Sequence, residues 1–190
     1  MRRFLYLGIF AVAMGFLEAI SIVYLKALNR ETFEIKRLLL IEMAREISTM
    51  VMLVMVAVVT GKNFIQRLSY FLFVFGFWDI FYYVGLKTFI DWPPSLLTWD
   101  LLFMIPFPWQ GPVLAPVICS LMMVLFAVYL QLQGRKFIKI TLLEWGLFFG
   151  GTLIIFLSFI WKSLQTIIQE GILSQPQKWS FIDSYKFSTE

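Results

Sequence analysis

Glu18, Arg45, Glu46, Asp79, Lys87 and Asp100 lie inside or against long apolar runs of this 190-residue chain. In such surroundings a carboxylate can hold a proton or a cation or act as a general base, and a neighbouring guanidinium or ammonium can bind a phosphate or carboxylate. Two of the acids recur in a shared pattern. Laying Gly15-Phe16-Leu17-Glu18 over Gly76-Phe77-Trp78-Asp79 also lays Val23, Leu25 and Lys26 over Val84, Leu86 and Lys87. An acid deep in an apolar run, followed two turns later by a lysine, reads as a parallel repeat of two helix pairs. The second helix of each pair does not visibly match.

Other chemistry is excluded by what is missing. With no histidine and one cysteine, Cys119, the chain cannot build a His-ligated haem, a Cys/His zinc site, an iron–sulfur cluster, a Ser-His-Asp triad or an internal disulfide. Glu42 and Glu46 share a helix face and repel unless a cation, a proton or Arg45 sits between them. Di-iron carboxylate sites need a Glu-x-x-His motif, which is absent. No metal and no cofactor are predicted, and a bound lipid is compatible. No P-loop, dinucleotide fingerprint or nucleophile elbow occurs.

The elements that must position these groups are membrane helices. The chain is 60% hydrophobic and 15% charged, where a soluble domain carries about 25% charge. Its formal net charge is +4, but the cations cluster beside apolar runs, which points to membrane topology and not to nucleic acid. The expected fold is all-α, a polytopic transmembrane bundle with spans at about 4–26, 46–60, 64–87, 112–133 and 140–162 in one domain, 1–162. An interfacial helix at about 31–45 is expected to run into the second span. A short re-entrant or interfacial helix at about 95–105, capped by Ser95, is expected between Pro93-Pro94 and Pro106-Phe107-Pro108. Residues 163–190 read as a polar extension with a helical start.

Arg2 and Arg3, Lys62 and Arg67, and Arg135, Lys136 and Lys139 form an acid-free set on one side. This places the N-terminus in the cytoplasm, in a membrane of the bacterial inner type. At ~1.5 Å per residue Glu18 and Asp79 share a depth near the outer interface. Arg45, Glu46 and Thr49 of the antiparallel second span approach that level, and Lys87 and Asp100 follow. Tyr24, Tyr82, Tyr83, Trp92, Trp99 and Trp109 gather there too, as an interfacial belt or as the walls of a pocket.

Two readings of this layer stand side by side. It is a polar pocket for a proton, cation or headgroup, or it is a set of ion pairs that fix helix register. Small size and the lack of redox ligands lead to a non-catalytic subunit or scaffold of a membrane complex, meeting other membrane proteins or copies of itself. The alternatives are a small homo-oligomeric ion- or proton-coupled transporter using Glu18 and Asp79, and an intramembrane enzyme acting on a lipid-linked substrate.

Overall fold

The structure, a computed structural model, describes residues 2–27, 35–103, 109–133 and 141–170. In chain order the elements are α1 (Arg2–Ala27), α2 (Ile35–Thr60), α3 (Phe64–Ile90), β1 (Trp99–Phe103), β2 (Trp109–Pro112), α4 (Leu114–Leu132) and α5 (Leu142–Glu170). Four helical segments are long and apolar enough to cross a membrane: Arg2–Leu25, Leu40–Thr60, Phe64–Ile90 and Leu114–Leu132. The cationic loop expected at Arg135–Lys139, the start of the expected interfacial helix at 31–34 and the end of the polar extension, 171–190, lie outside the described residues.

One compact unit comprises Met1–Thr98 and Pro112–Gly134. In it α3 packs against α1, α2 and α4. Its partners line up in order along its length. Phe4 meets Tyr70 and Phe73, and Gly15 meets the backbone from Trp78 to Tyr82, so α1 and α3 run parallel. A Cβ on Gly15 would lie 2.7 Å from the Trp78 carbonyl oxygen. The bare glycine is what allows this approach. Against α4 the order reverses: the Ser69 hydroxyl donates to the Ala127 carbonyl at 2.8 Å, and a Cβ on Gly76 would lie 2.6 Å from the Ser120 carbonyl oxygen. The core of this unit joins the ends of α1 and α3 to the start of α4 through Ala19, Ile22, Tyr83, Leu86, Trp92 and Val113.

α2 is one uninterrupted helix, as expected of a segment that runs into the second span, but its membrane-length stretch, Leu40–Thr60, begins before the expected start near 46. The reason lies in how its buried residues fall. Glu42, Glu46, Thr49, Leu53 and Ala57 recur at helical spacing along one face. The charges therefore point into the bundle and do not end the apolar run. Leu40, Ile41, Ile47, Val51 and Met55 cover the outward side.

The helix expected at about 95–105 is also corrected. Ser95 does cap, its hydroxyl accepting from Leu97 N at 3.1 Å, but the turn closes at Thr98. The chain then extends into β1, which pairs with β2. Proline on both sides leaves too few residues to offset helix nucleation, and Trp99, Leu101 and Phe103 suit a strand. The connection between the strands is too short for parallel pairing, so they form an antiparallel hairpin.

The second compact unit comprises Trp99–Gly111 and Arg135–Glu190. Here the Trp109 ring meets Phe103 at 6.3 Å and Phe156 at 5.1 Å between centroids. α5 runs to Glu170, past the expected span end at 162.

Candidate functional site

The N-terminal half of α2's buried face is polar. Glu42 is 6% exposed, Glu46 8% and, facing them from α1, Glu18 7%. Arg45, on the same helix, bridges two of these acids. Its guanidinium pairs with Glu18 through Nη1 and with Glu42 through Nη2 at 2.8 Å and Nε at 3.0 Å. Thr49, one turn further along α2, donates its hydroxyl to the other Glu18 oxygen at 3.1 Å. Both oxygens of Glu18 are thus held by α2.

This arrangement ties α1 to α2 at a fixed register. Removing one member of a buried ion pair costs about 3–5 kcal/mol, because the charge left behind has neither water nor a partner. The other Glu42 oxygen, Oε1, is buried without a hydrogen-bond partner among the described residues. Chemically this leaves one surplus carboxylate oxygen, able to carry a proton. A guanidinium already shared by two carboxylates is poorly disposed to grip a phosphate.

The remaining groups expected in this layer have partners of their own. Asp79 accepts from the Ser120 hydroxyl of α4 at 2.8 Å. Lys87 closes the end of α3: its ammonium lies 2.7 Å from Asp91 Oδ1 and donates to the carbonyls of Pro93 at 3.1 Å and Asp91 at 3.4 Å. Asp91 has φ 54° and ψ 30°, the left-handed conformation of a helix C-cap, and an ammonium there neutralises the terminal carbonyls. Lys87, 51% exposed in its side chain, is thus a capping group and not the counter-charge of Glu18. Among the described residues Glu18 meets Arg45 and Thr49, Arg45 also meets Glu42, Asp79 meets Ser120, and Lys87 meets Asp91.

Asp100, Trp99 and Trp109 belong to the second compact unit. Of the other aromatics, Tyr83 and Trp92 are buried core residues with centroids 6.3 Å apart, Tyr82 packs against that core, and Tyr24 is 68% exposed.

The repeated motif has a shared geometry. In each copy the glycine sits at a close helix approach and the acid one turn later accepts a hydroxyl hydrogen from the helix that follows in sequence. Glu18 accepts from Thr49 of α2, and Asp79 from Ser120 of α4. Ser120 escaped the sequence reading, its only signal being a lone hydroxyl in an apolar run. Among the described residues, no group of three or more His, Cys, Asp or Glu side chains is arranged to hold a metal ion. Comparison with protein-family models, curated proteins and solved structures returns no match.

Proposed function

We propose that the chain is a membrane-embedded, non-catalytic helical subunit or scaffold, with its buried charges serving to fix helix register. The observation that carries this reading is the closure of Glu18, both of whose oxygens are engaged by α2. Asp79 and Lys87, the other candidates for a transport or catalytic role, are also engaged within the fold. Supporting an assembly role, α5 exposes Leu147, Leu153 and Ile154, and nothing lies within 4 Å of a Cβ built on Gly146, Gly150 or Gly151. Glycines so spaced on an apolar helix let a second helix approach closely. In this proposal the N-terminus faces the cytoplasm and α5 is a fifth membrane helix.

The test is native mass spectrometry of the full chain extracted gently from its own membrane. Other polypeptides in fixed ratio are the expected result. A chain travelling alone, or only with copies of itself, overturns the subunit reading.

A transporter is the second reading, favoured by the equivalent positions of Glu18 and Asp79 in the two motif copies. Its signature is ion or proton flux in vesicles that Glu18→Gln and Asp79→Asn each abolish while the fold is retained.

A further inference from the structure

The end of the first compact unit where α1 begins, α2 ends and α3 begins is basic. Arg3 of α1 donates from Nη1 to the Thr60 carbonyl at 2.9 Å, and Arg67 of α3 donates from Nε to the Gly61 carbonyl at 3.2 Å. Guanidiniums from two helices are therefore anchored on successive carbonyls at the close of α2. The connection is built to bring Arg67 back to this point. Asn63 accepts from Gln66 N at 2.9 Å while the Gln66 side chain accepts from Lys62 N at 3.0 Å, a variant of the helix-capping box. A Cβ on Gly61 would lie 2.6 Å from Arg67 Cγ and 2.8 Å from Arg67 N, so only glycine fits.

Arg2 and Lys62 add two exposed cations at the same end. No acid occurs in residues 2–17 or 47–78, and none of Arg2, Arg3, Lys62 and Arg67 forms an ion pair among the described residues. Each guanidinium has five N–H donors, and Arg3 and Arg67 each spend only one on a carbonyl. Exposed Leu5, Tyr6, Val59 and Phe64 stand beside the cations. Anchored cations with donors to spare, next to exposed apolar side chains at the end of membrane-length helices, complement a phosphodiester that carries acyl chains. The N-terminus of α3 adds backbone N–H groups of the same polarity.

We infer that this end of the bundle docks the phosphodiester headgroup of an anionic phospholipid, with Arg3 and Arg67 as anchors and Arg2 and Lys62 as outer charges. The inference rests on the membrane reading of the four apolar helices and is independent of the scaffold role.

The test is native mass spectrometry of the full chain in detergent micelles, titrated with phosphatidylglycerol and, separately, with phosphatidylcholine of the same chain length. The expected result is that phosphatidylglycerol is retained at least about tenfold more tightly, and that each neutralised cation weakens it by about fivefold. Arg3→Gln with Arg67→Gln should remove the preference. Since those residues also tie the helix ends together, Arg2→Gln and Lys62→Gln, whose side chains hold no other described residue, should weaken retention with the melting temperature unchanged. Equal retention of the two lipids overturns the inference, as does an undiminished preference in all variants. Displacement of the lipid by millimolar inorganic phosphate also overturns it, because the site then serves a free anion. A chain that stays in solution without micelles overturns the membrane reading along with it, whereas lipid indifference in micelles leaves that reading standing.

Discussion

Ser120 on α4 donates its hydroxyl to Asp79 on α3 at 2.8 Å, one helical turn from Gly76, where the two backbones touch. The close approach and the hydrogen bond depend on each other. Glycine brings the helices near enough for a short hydroxyl to reach the carboxylate, and the bond makes an acid tolerable inside an apolar helix. Ser120→Ala should leave Asp79 without this partner and lower stability by about 1–2 kcal/mol. Ser120→Thr, which keeps the hydroxyl, should cost less at the hydrogen bond but more in packing. Unfolding of the purified protein in mixed micelles reads both.

Arg45 is the member of the buried cluster on which the others depend. Arg45→Leu strands Glu18 and Glu42 together and should cost about 3–5 kcal/mol. Glu18→Gln combined with Arg45→Gln should cost less than the sum of the two single changes, with a coupling of about 1 kcal/mol or more in the double-mutant cycle. Additive losses would show that the pair does not hold α1 to α2.

Glycines in touch and glycines in the open should answer differently to a larger side chain. Gly76→Leu drives a side chain into the Ser120 backbone and should destabilise the bundle by about 1–3 kcal/mol. Gly150→Leu meets nothing within the chain and should leave its melting unchanged. Under the subunit reading Gly150→Leu should nonetheless reduce co-extraction of partner polypeptides. Unchanged co-extraction removes this face of α5 from the proposed contact surface.

Lys87→Met tests a cap. Its partner carboxylate is largely exposed, so the loss of global stability should stay within about 1 kcal/mol. The effect should be local, with faster hydrogen exchange at the amides of Asp91 and Trp92, which bond back to Lys87 O and Leu86 O. A loss as large as that of Arg45→Leu would mean that Lys87 serves the buried acids after all.

What could be read in the sequence follows from where the physics is local. Uninterrupted apolar runs mark α1, α3 and α4, because a membrane demands length and lack of charge from each helix separately. The approach of Arg45 to the level of Glu18 and Asp79 is also legible, but depth alone does not choose between the two acids; the structure pairs Arg45 with Glu18. Ser120 was not legible: a hydroxyl has no periodicity, and its role comes from a crossing point that only the folded bundle defines. The start of the membrane-length stretch of α2 is hard to read for a related reason. Glu42, Arg45 and Glu46 look like the polar end of an interfacial helix until the partner that receives them is in place. Lys87 lies at the right depth to answer Asp79, but its side chain reaches toward the end of its own helix. The hairpin β1–β2 depends on pairing between two segments, neither of which declares a strand by itself.

The polar half of α2 bears on how the protein is made. An isolated α2 carries Glu42, Arg45 and Glu46 toward the bilayer, and an ionised group costs up to about 2.5–3.5 kcal/mol on insertion scales at the bilayer centre and less near its edge. Preceded by α1, it finds Glu18 and offers Arg45 and Thr49 in return. Insertion of this segment is therefore conditional on the one synthesised before it. On the membrane reading, the first two helices are expected to enter the lipid together, which would make the order of the chain during translation part of its folding information.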